Sequence, residues 1–210
     1  MADWSTIASL STAGGTLVLA LATFSSVRAS QRSARIAEQA LLIGLRPVLA
    51  PTRDDDGAMT VMFGDRHLTT VAGGSGAIER DGDRVYLVIP LRNVGQGLAV
   101  LHAWRAGPRE PGGGERPDLA LFRRQTRDLY IPAGGIGFWQ GAMRDADDEM
   151  RPGIEQAYAA GDPLAVDVLY GDHEGGQRQV SRFVLSPRDD GSWLAGVTRH
   201  WRVDDRELLE

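Results

Sequence analysis

The pattern of polar and apolar positions is most lopsided near the N-terminus. Between Asp3 and Arg28 there is no acidic, basic or imidazole side chain, and Ile7, Leu10, Leu17, Val18, Leu19, Leu21, Phe24 and Val27 are spread through the interval. At about 1.5 Å of rise per residue, Ile7 to Val27 makes a helix of roughly 30 Å, the thickness of a bilayer's hydrocarbon core. The pattern predicts a single membrane span. Two other readings compete with it. A secretory signal would use Ala20-Leu21-Ala22 as its small-residue cleavage site, but such signals begin with a basic stretch where this chain has Met1, Ala2, Asp3 and Trp4. A buried helix of a soluble domain would account for Ser9, Ser11, Thr12, Thr16, Thr23, Ser25 and Ser26; hydroxyls, however, bond back to helix carbonyls and cost less in lipid than their hydropathy suggests.

Arg28, Arg32 and Arg35 follow the run and no base precedes it, which predicts a plasma-membrane protein whose following domain faces the cytoplasm. Ala8, Thr12, Thr16 and Ala20 recur every fourth residue. Such a stripe lets two membrane helices approach closely and would support homo-oligomerisation through the span; the plainer account is that small residues are common there. The helical pattern continues to Leu45 through Ile36, Ala40 and Ile43 and ends at Gly44 with Pro47 close behind.

Beyond it the period changes from that of a helix to that of strands. Short apolar or alternating runs cover Pro47 to Thr52, Met59 to Phe63, His67 to Ala72, Arg84 to Asn93, Ala99 to Ala106, Leu119 to Phe122, Thr126 to Ile131, Gly135 to Met143, Leu164 to Tyr170, Gln177 to Leu185 and Ser192 to Val203. Arg84 to Asn93 is apolar without alternation, which predicts burial on both faces, and Pro90 within it predicts a bulge or a strand edge. Gly73 to Gly76 reads as a flexible loop, Gly95 and Gly97 as a tight connection using positive φ, and Pro152 to Ala160 as a short helix. The expected fold is mainly β, an antiparallel β-sandwich over residues 46–204, preceded by the helical segment 1–45 and followed by an acidic tail at 205–210.

Composition narrows the chemistry. Roughly 165 residues remain after the helix, enough for a core without disulfide or metal staples. Cysteine is absent, which removes thiolate nucleophiles, Cys-type zinc sites and disulfides. Every basic side chain is arginine, and the net charge of −5 with a pI near 5.4 argues against general nucleic-acid binding.

The Arg46-Pro47 step, the Asn93-Val94-Gly95-Gln96-Gly97-Leu98-Ala99 corner and the Tyr170-Gly171-Asp172-His173-Glu174-Gly175 hairpin, placed behind an N-terminal span, carry a resemblance. The chain resembles a group of bacterial, actinobacterial-like single-pass membrane proteins with an immunoglobulin-like β-sandwich. Leu98 stands where many of that group have proline. The resemblance implies the fold and no reaction, since those proteins have no assigned activity.

Candidate sites are sparse. His67, His102, His173 and His200 lie far apart, so a metal site would need carboxylates such as Asp167 or Asp172 from other strands; neither a metal nor a cofactor is expected. Asp145 to Glu149 resembles a calcium loop but has Met150 where such a loop needs glycine. No Gly-x-Ser-x-Gly elbow occurs, and no catalytic residue is expected. Arg123, Arg124 and Arg127 beside Phe122 are candidates for contact with an acidic partner, against the plainer account of a charged strand edge. The expectation is a membrane-tethered module that binds lipid and another protein and has no activity of its own. The alternative is a small-ligand sensor or enzyme with a pocket assembled from distant carboxylates, histidines and arginines.

Overall fold

The computed structural model describes residues 4–173 and 177–203, except for the side chains of residues 4–13, 18, 39, 42, 43 and 113. The chain divides into two units, Met1–Gly44 and Leu45–Glu210. In the first, one helix, α1, runs Trp4–Gly44 without interruption, so the expected span and its continuation form one element. Among the described residues no helix is long and apolar enough to cross a membrane. Gly14, Gly15, Thr16, Thr23, Ser25 and Ser26 dilute the described part of the run, while Leu17, Leu19, Leu21, Phe24 and Val27 are exposed. Thr23 and Ser25 bond back to the carbonyls of Leu19 and Ala22, at 2.8 Å each. The side chains of Ile7, Ala8, Leu10, Thr12 and Val18, and the acidic stretch 205–210, lie outside the described residues.

The second unit is mainly β and antiparallel. Its strands are β1 (Leu49–Pro51), β2 (Met59–Met62), β3 (Leu68–Val71), β4 (Ser75–Asp81), β5 (Arg84–Asn93), β6 (Ala99–Pro108), β7 (Arg123–Ile131), β8 (Ile136–Met143), β9 (Leu164–Gly171), β10 (Arg178–Pro187) and β11 (Trp193–Val203). A helix, α2 (Arg151–Ala160), lies between β8 and β9 with Pro152 in its first turn. The sheet order is β1-β5-β4-β11-β10-β9-β6-β7, with β8 on the other side of β5 and β2-β3 a separate hairpin. The sheet curls, so that one limb (β8, β5, β4, β1) and the other (β11, β10, β9, β6, β7) share a core, much as the layers of a sandwich do. That core holds Leu87 and Ile89 of β5, Trp139 of β8, Trp104 of β6, Val166 and Val168 of β9, Phe183 of β10 and Ile154 of α2.

β5 is buried on both faces, as its unbroken apolar run predicts. Leu87 and Ile89 face the shared core, and Tyr86 and Val88 are covered by Val61, Phe63 and Val71 of the β2-β3 hairpin. Pro90 corrects its expectation: it sits in a central strand and marks no bulge. β8 pairs with β5 from Val85 to Arg92 on one side, while on the other β4 stops at Val88 and β1 begins at Leu91. The Pro90 carbonyl on that side accepts from Thr52 N, at 3.1 Å, so the amide hydrogen that proline lacks would have pointed into the gap between two partner strands.

Three other expectations change. The glycine-rich stretch at 73–76 is no free loop, because β4 starts at Ser75. Leu119–Leu121 is a 3-10 turn instead of a strand, closed by Asp118 accepting from Ala120 N. Gly95 and Gly97 are absent from the positive-φ residues; they are small because the chain passes close by, and a Cβ on either would run into the backbone of Leu45 to Val48.

Candidate functional site

The curl of the sheet leaves one place open. β7 pairs only with β6 and β8 only with β5, so the two strands border a seam where, among the described residues, no backbone ladder closes the sheet. Side chains bridge it. Gln125 Nε2 donates to the Gln140 carbonyl at 2.9 Å, and Arg127 Nη1 donates to the Met62 carbonyl at 2.8 Å. Arg123 Nη1 lies 2.6 Å from Asp148 Oδ2, and the Arg123 guanidinium stands 5.3 Å from the centre of the Trp104 ring. Arg124 lies on the opposite face of the strand and is exposed. The sequence-derived arginine group is therefore split: Arg123 and Arg127 hold the seam, and Arg124 does not.

Behind the seam Trp104 and Trp139 meet edge to face, 5.3 Å apart at 73°. The buried Nε1 of Trp139 and the buried Oε1 of Gln140 have no hydrogen-bond partner among the described residues, and both lie on β8 at the seam. A small cleft reaches in between Phe63, Trp104, Thr126, Gln140 and Arg144, and it opens towards the acidic turn at Asp145 to Glu149. That turn is held by its own side chains: Asp145 accepts from Asp147 N and Asp148 from Met150 N, while Asp148 also carries Arg123. It leads directly into α2.

Next to the seam the β2-β3 turn brings Asp65 under Tyr86 and Arg144. The Tyr86 hydroxyl donates to Asp65 Oδ2 at 2.7 Å, and Arg144 Nε donates to the same oxygen at 2.9 Å. Partial burial alone would raise the Asp65 pKa; the bonds from Arg144 and Tyr86 outweigh it and hold the carboxyl far below its ordinary range. Arg66, in the same turn, takes a left-handed conformation with φ of 69°. His67 stacks on Tyr86, 3.9 Å apart at 7°, and its Nε2 lies 2.8 Å from Glu79 Oε2.

The remaining histidines are dispersed, as their spacing suggests. His102 lies beside Asp172 and Arg178, with its Nε2 buried and without a partner among the described residues; burial, then Arg178, lower its pKa against the pull of Asp172. His200 Nδ1 is 2.6 Å from Ser181 Oγ, which is 2.8 Å from the Tyr170 hydroxyl, which accepts from Leu49 N at 3.1 Å. Ser181 is fully buried, so its bond to a histidine gives no reachable nucleophile. Burial lowers the His200 pKa and raises that of Tyr170. His173 is exposed. Among the described residues no group of three or more His, Asp or Glu side chains could hold a metal ion. Asp167 is fully engaged by Arg182, whose Nε and Nη2 reach its two oxygens at 2.7 and 2.9 Å.

Sequence reasoning missed Gln125, Gln140, Arg144 and the Asp65-Tyr86 pair. The one local signal was the polar Gln125-Thr126-Arg127 run next to a strand pattern.

No protein-family model matches the chain, and no curated protein matches it. Among solved structures similar to the chain is one titled as the X-ray structure of Northeast Structural Genomics Consortium target SoR45. It is 10% identical, aligns over 64% of this chain and 85% of its own, and has a TM-score of 0.20.

Proposed function

We propose that this chain is a membrane-tethered interaction module, with an immunoglobulin-like sandwich as its head. In this reading the uncharged run from Ile7 to Val27 is the single-pass anchor, Arg28, Arg32 and Arg35 keep the head on the cytoplasmic side, and the stripe at Ala8, Thr12, Thr16 and Ala20 allows two anchors to pair. Support for the anchor comes from the exposed Leu17, Leu19, Leu21, Phe24 and Val27 on an unbroken helix with no charge before Arg28.

The observation that carries the head's role is the seam. A strand edge with free backbone groups is a template for another strand, and an extended segment of a partner protein laid along β7 would find the ladder bonds that β8 does not supply. Arg123, Arg127 and Arg144 line or flank the approach, so the segment carries acidic side chains. A reactive centre is not needed for this role.

The test uses the full-length chain expressed in cells with a photo-crosslinking side chain at Thr126, in the seam cleft, or at the exposed Arg80 near the end of β4. The protein should sediment with membranes after lysis without detergent. Thr126 should give a discrete adduct that acidic peptide competes away, and Arg80 should not. Recovery in the aqueous fraction would remove the anchor, and identical adducts at the two positions would remove the seam.

A further inference from the structure

On the face of the sheet turned away from the shared core, β6, β9 and β10 and the loop after β6 enclose a cleft of about 190 Å³. Arg105, Glu110, Asp167 and Arg182 line it, together with the backbone around Gly107. We propose that this cleft binds a small zwitterion of amino-acid size, its carboxylate on Arg105 and its ammonium on Glu110.

Two of the four charges lining the cleft already satisfy each other. Asp167 and Arg182 form a buried two-bond pair, and the Arg182 guanidinium also stands 5.1 Å from the Trp201 ring centre. These two charges cancel and form a fixed wall. Arg105 is the direct cross-strand partner of Asp167 in the β6-β9 register, yet both oxygens of Asp167 are committed to Arg182. Half-buried, Arg105 is left with no ion pair or hydrogen bond among the described residues. A guanidinium in that position favours an added carboxylate, which it can meet with two parallel bonds.

Glu110 supplies the second charge. It stands exposed at the cleft's rim, near enough for its charge to act on Arg182 but with no ion pair of its own among the described residues. A simple anion drawn to Arg105 would also meet Asp167 and Glu110, and a simple cation would meet both arginines. A molecule carrying both charges is attracted at each end and repelled at neither. Size points the same way. The cleft is smaller than the roughly 300–1,000 Å³ of drug-sized sites. A Cβ built on Gly107 would meet nothing within 4 Å, so the backbone at that point leaves room for a ligand.

The test is a titration of the isotope-labelled full-length chain in detergent, followed by amide NMR, with glycine, alanine and serine as zwitterions and acetate and ethylammonium as its separate halves. Saturable shifts at Gly107 and Ala165 are expected with the amino acids, and at least tenfold weaker binding with either half. Arg105→Gln and, separately, Glu110→Gln should each weaken binding about tenfold, the value of one lost charge-assisted bond. Both variants should keep the wild-type spectrum elsewhere. Because Glu110 is exposed, its variant serves if Arg105→Gln does not fold. The proposal fails if no amino acid gives saturable shifts up to about 10 mM, the weak limit of specific binding. It also fails if acetate alone binds as tightly, or if either folded variant binds like the wild type.

Discussion

The corner at Asn93 and the seam between β7 and β8 solve the same problem in opposite ways. At the corner one side chain closes every gap: Asn93 Oδ1 accepts from Val48 N and Gly95 N, and its Nδ2 donates to the carbonyls of Gly97 and Ile131. Asn93 is fully buried and all its bonding capacity is used. The linker into the domain is fastened nearby, where Gln179 donates to the Pro47 carbonyl and Arg46 to Gln177. At the seam the backbone edges are left open, long side chains reach across, and two buried polar atoms of Trp139 and Gln140 stay unpaired. The corner is closed by four bonds from one residue and the seam by separate side chains reaching from one strand, although Arg92 Nε, His102 Nε2 and Arg178 Nε near the corner are also buried without a partner among the described residues.

The strongest test of this contrast is Asn93→Ala. It strands the buried carbonyls of Gly97 and Ile131 and the partly buried amides of Val48 and Gly95 at once, and a loss of about 3–5 kcal/mol is expected by chemical denaturation. A loss below about 1 kcal/mol, the scale of one net hydrogen bond, would show that the corner is no lock. Tyr170→Phe should come next, at about 1–2 kcal/mol, because it removes the hydroxyl shared by Leu49 N and Ser181. The seam should be softer. Gln125→Ala combined with Arg127→Ala is expected to cost no more than about 1 kcal/mol, since the Arg127 bond to the Met62 carbonyl is exposed and the Gln125 bond to the Gln140 carbonyl is only partly buried. The same double variant should speed amide exchange in β7 and β8 and leave β5 and β9 unchanged.

The smallest effect is a pH slope. His102 and His200 both have lowered pKa values in the fold, so the unfolded chain binds their protons first. Their contribution is complete above the ordinary imidazole pKa of about 6.5 and is lost as pH falls below it. His102→Gln should flatten that part of the stability profile, and an unchanged slope would show that its burial carries no linkage.

Much of the fold was readable because it follows local rules. β5 announced itself by unbroken apolar character, the β9-β10 hairpin by its turn, and α2 by Pro152 in its first turn. β4 was hidden because Ser75, Gly76 and Ala77 are small for a packing reason: a Cβ on Gly76 would strike Leu185. A strand that must come this close to its neighbour looks like a loop. The candidate site was readable only in its parts. Arg123 and Arg127 stood out, but that they face a seam depends on β7 and β8 ending the two limbs, which is decided by pairings between distant segments.

The two limbs are joined by a very short ladder. Only Trp193 with Gly76 and Leu194 with Ser75 are in register between β4 and β11, extended by Ala195 N donating to the Gly74 carbonyl at 3.0 Å. The β9-β10-β11 meander can assemble from neighbours in the chain, whereas this junction must bring together segments separated by most of the domain. Docking of β4 onto β11 is therefore expected to be the late event of refolding, after each limb has collapsed on its own. Weakening that strip should raise the unfolding rate while hardly changing the rate at which the chain folds.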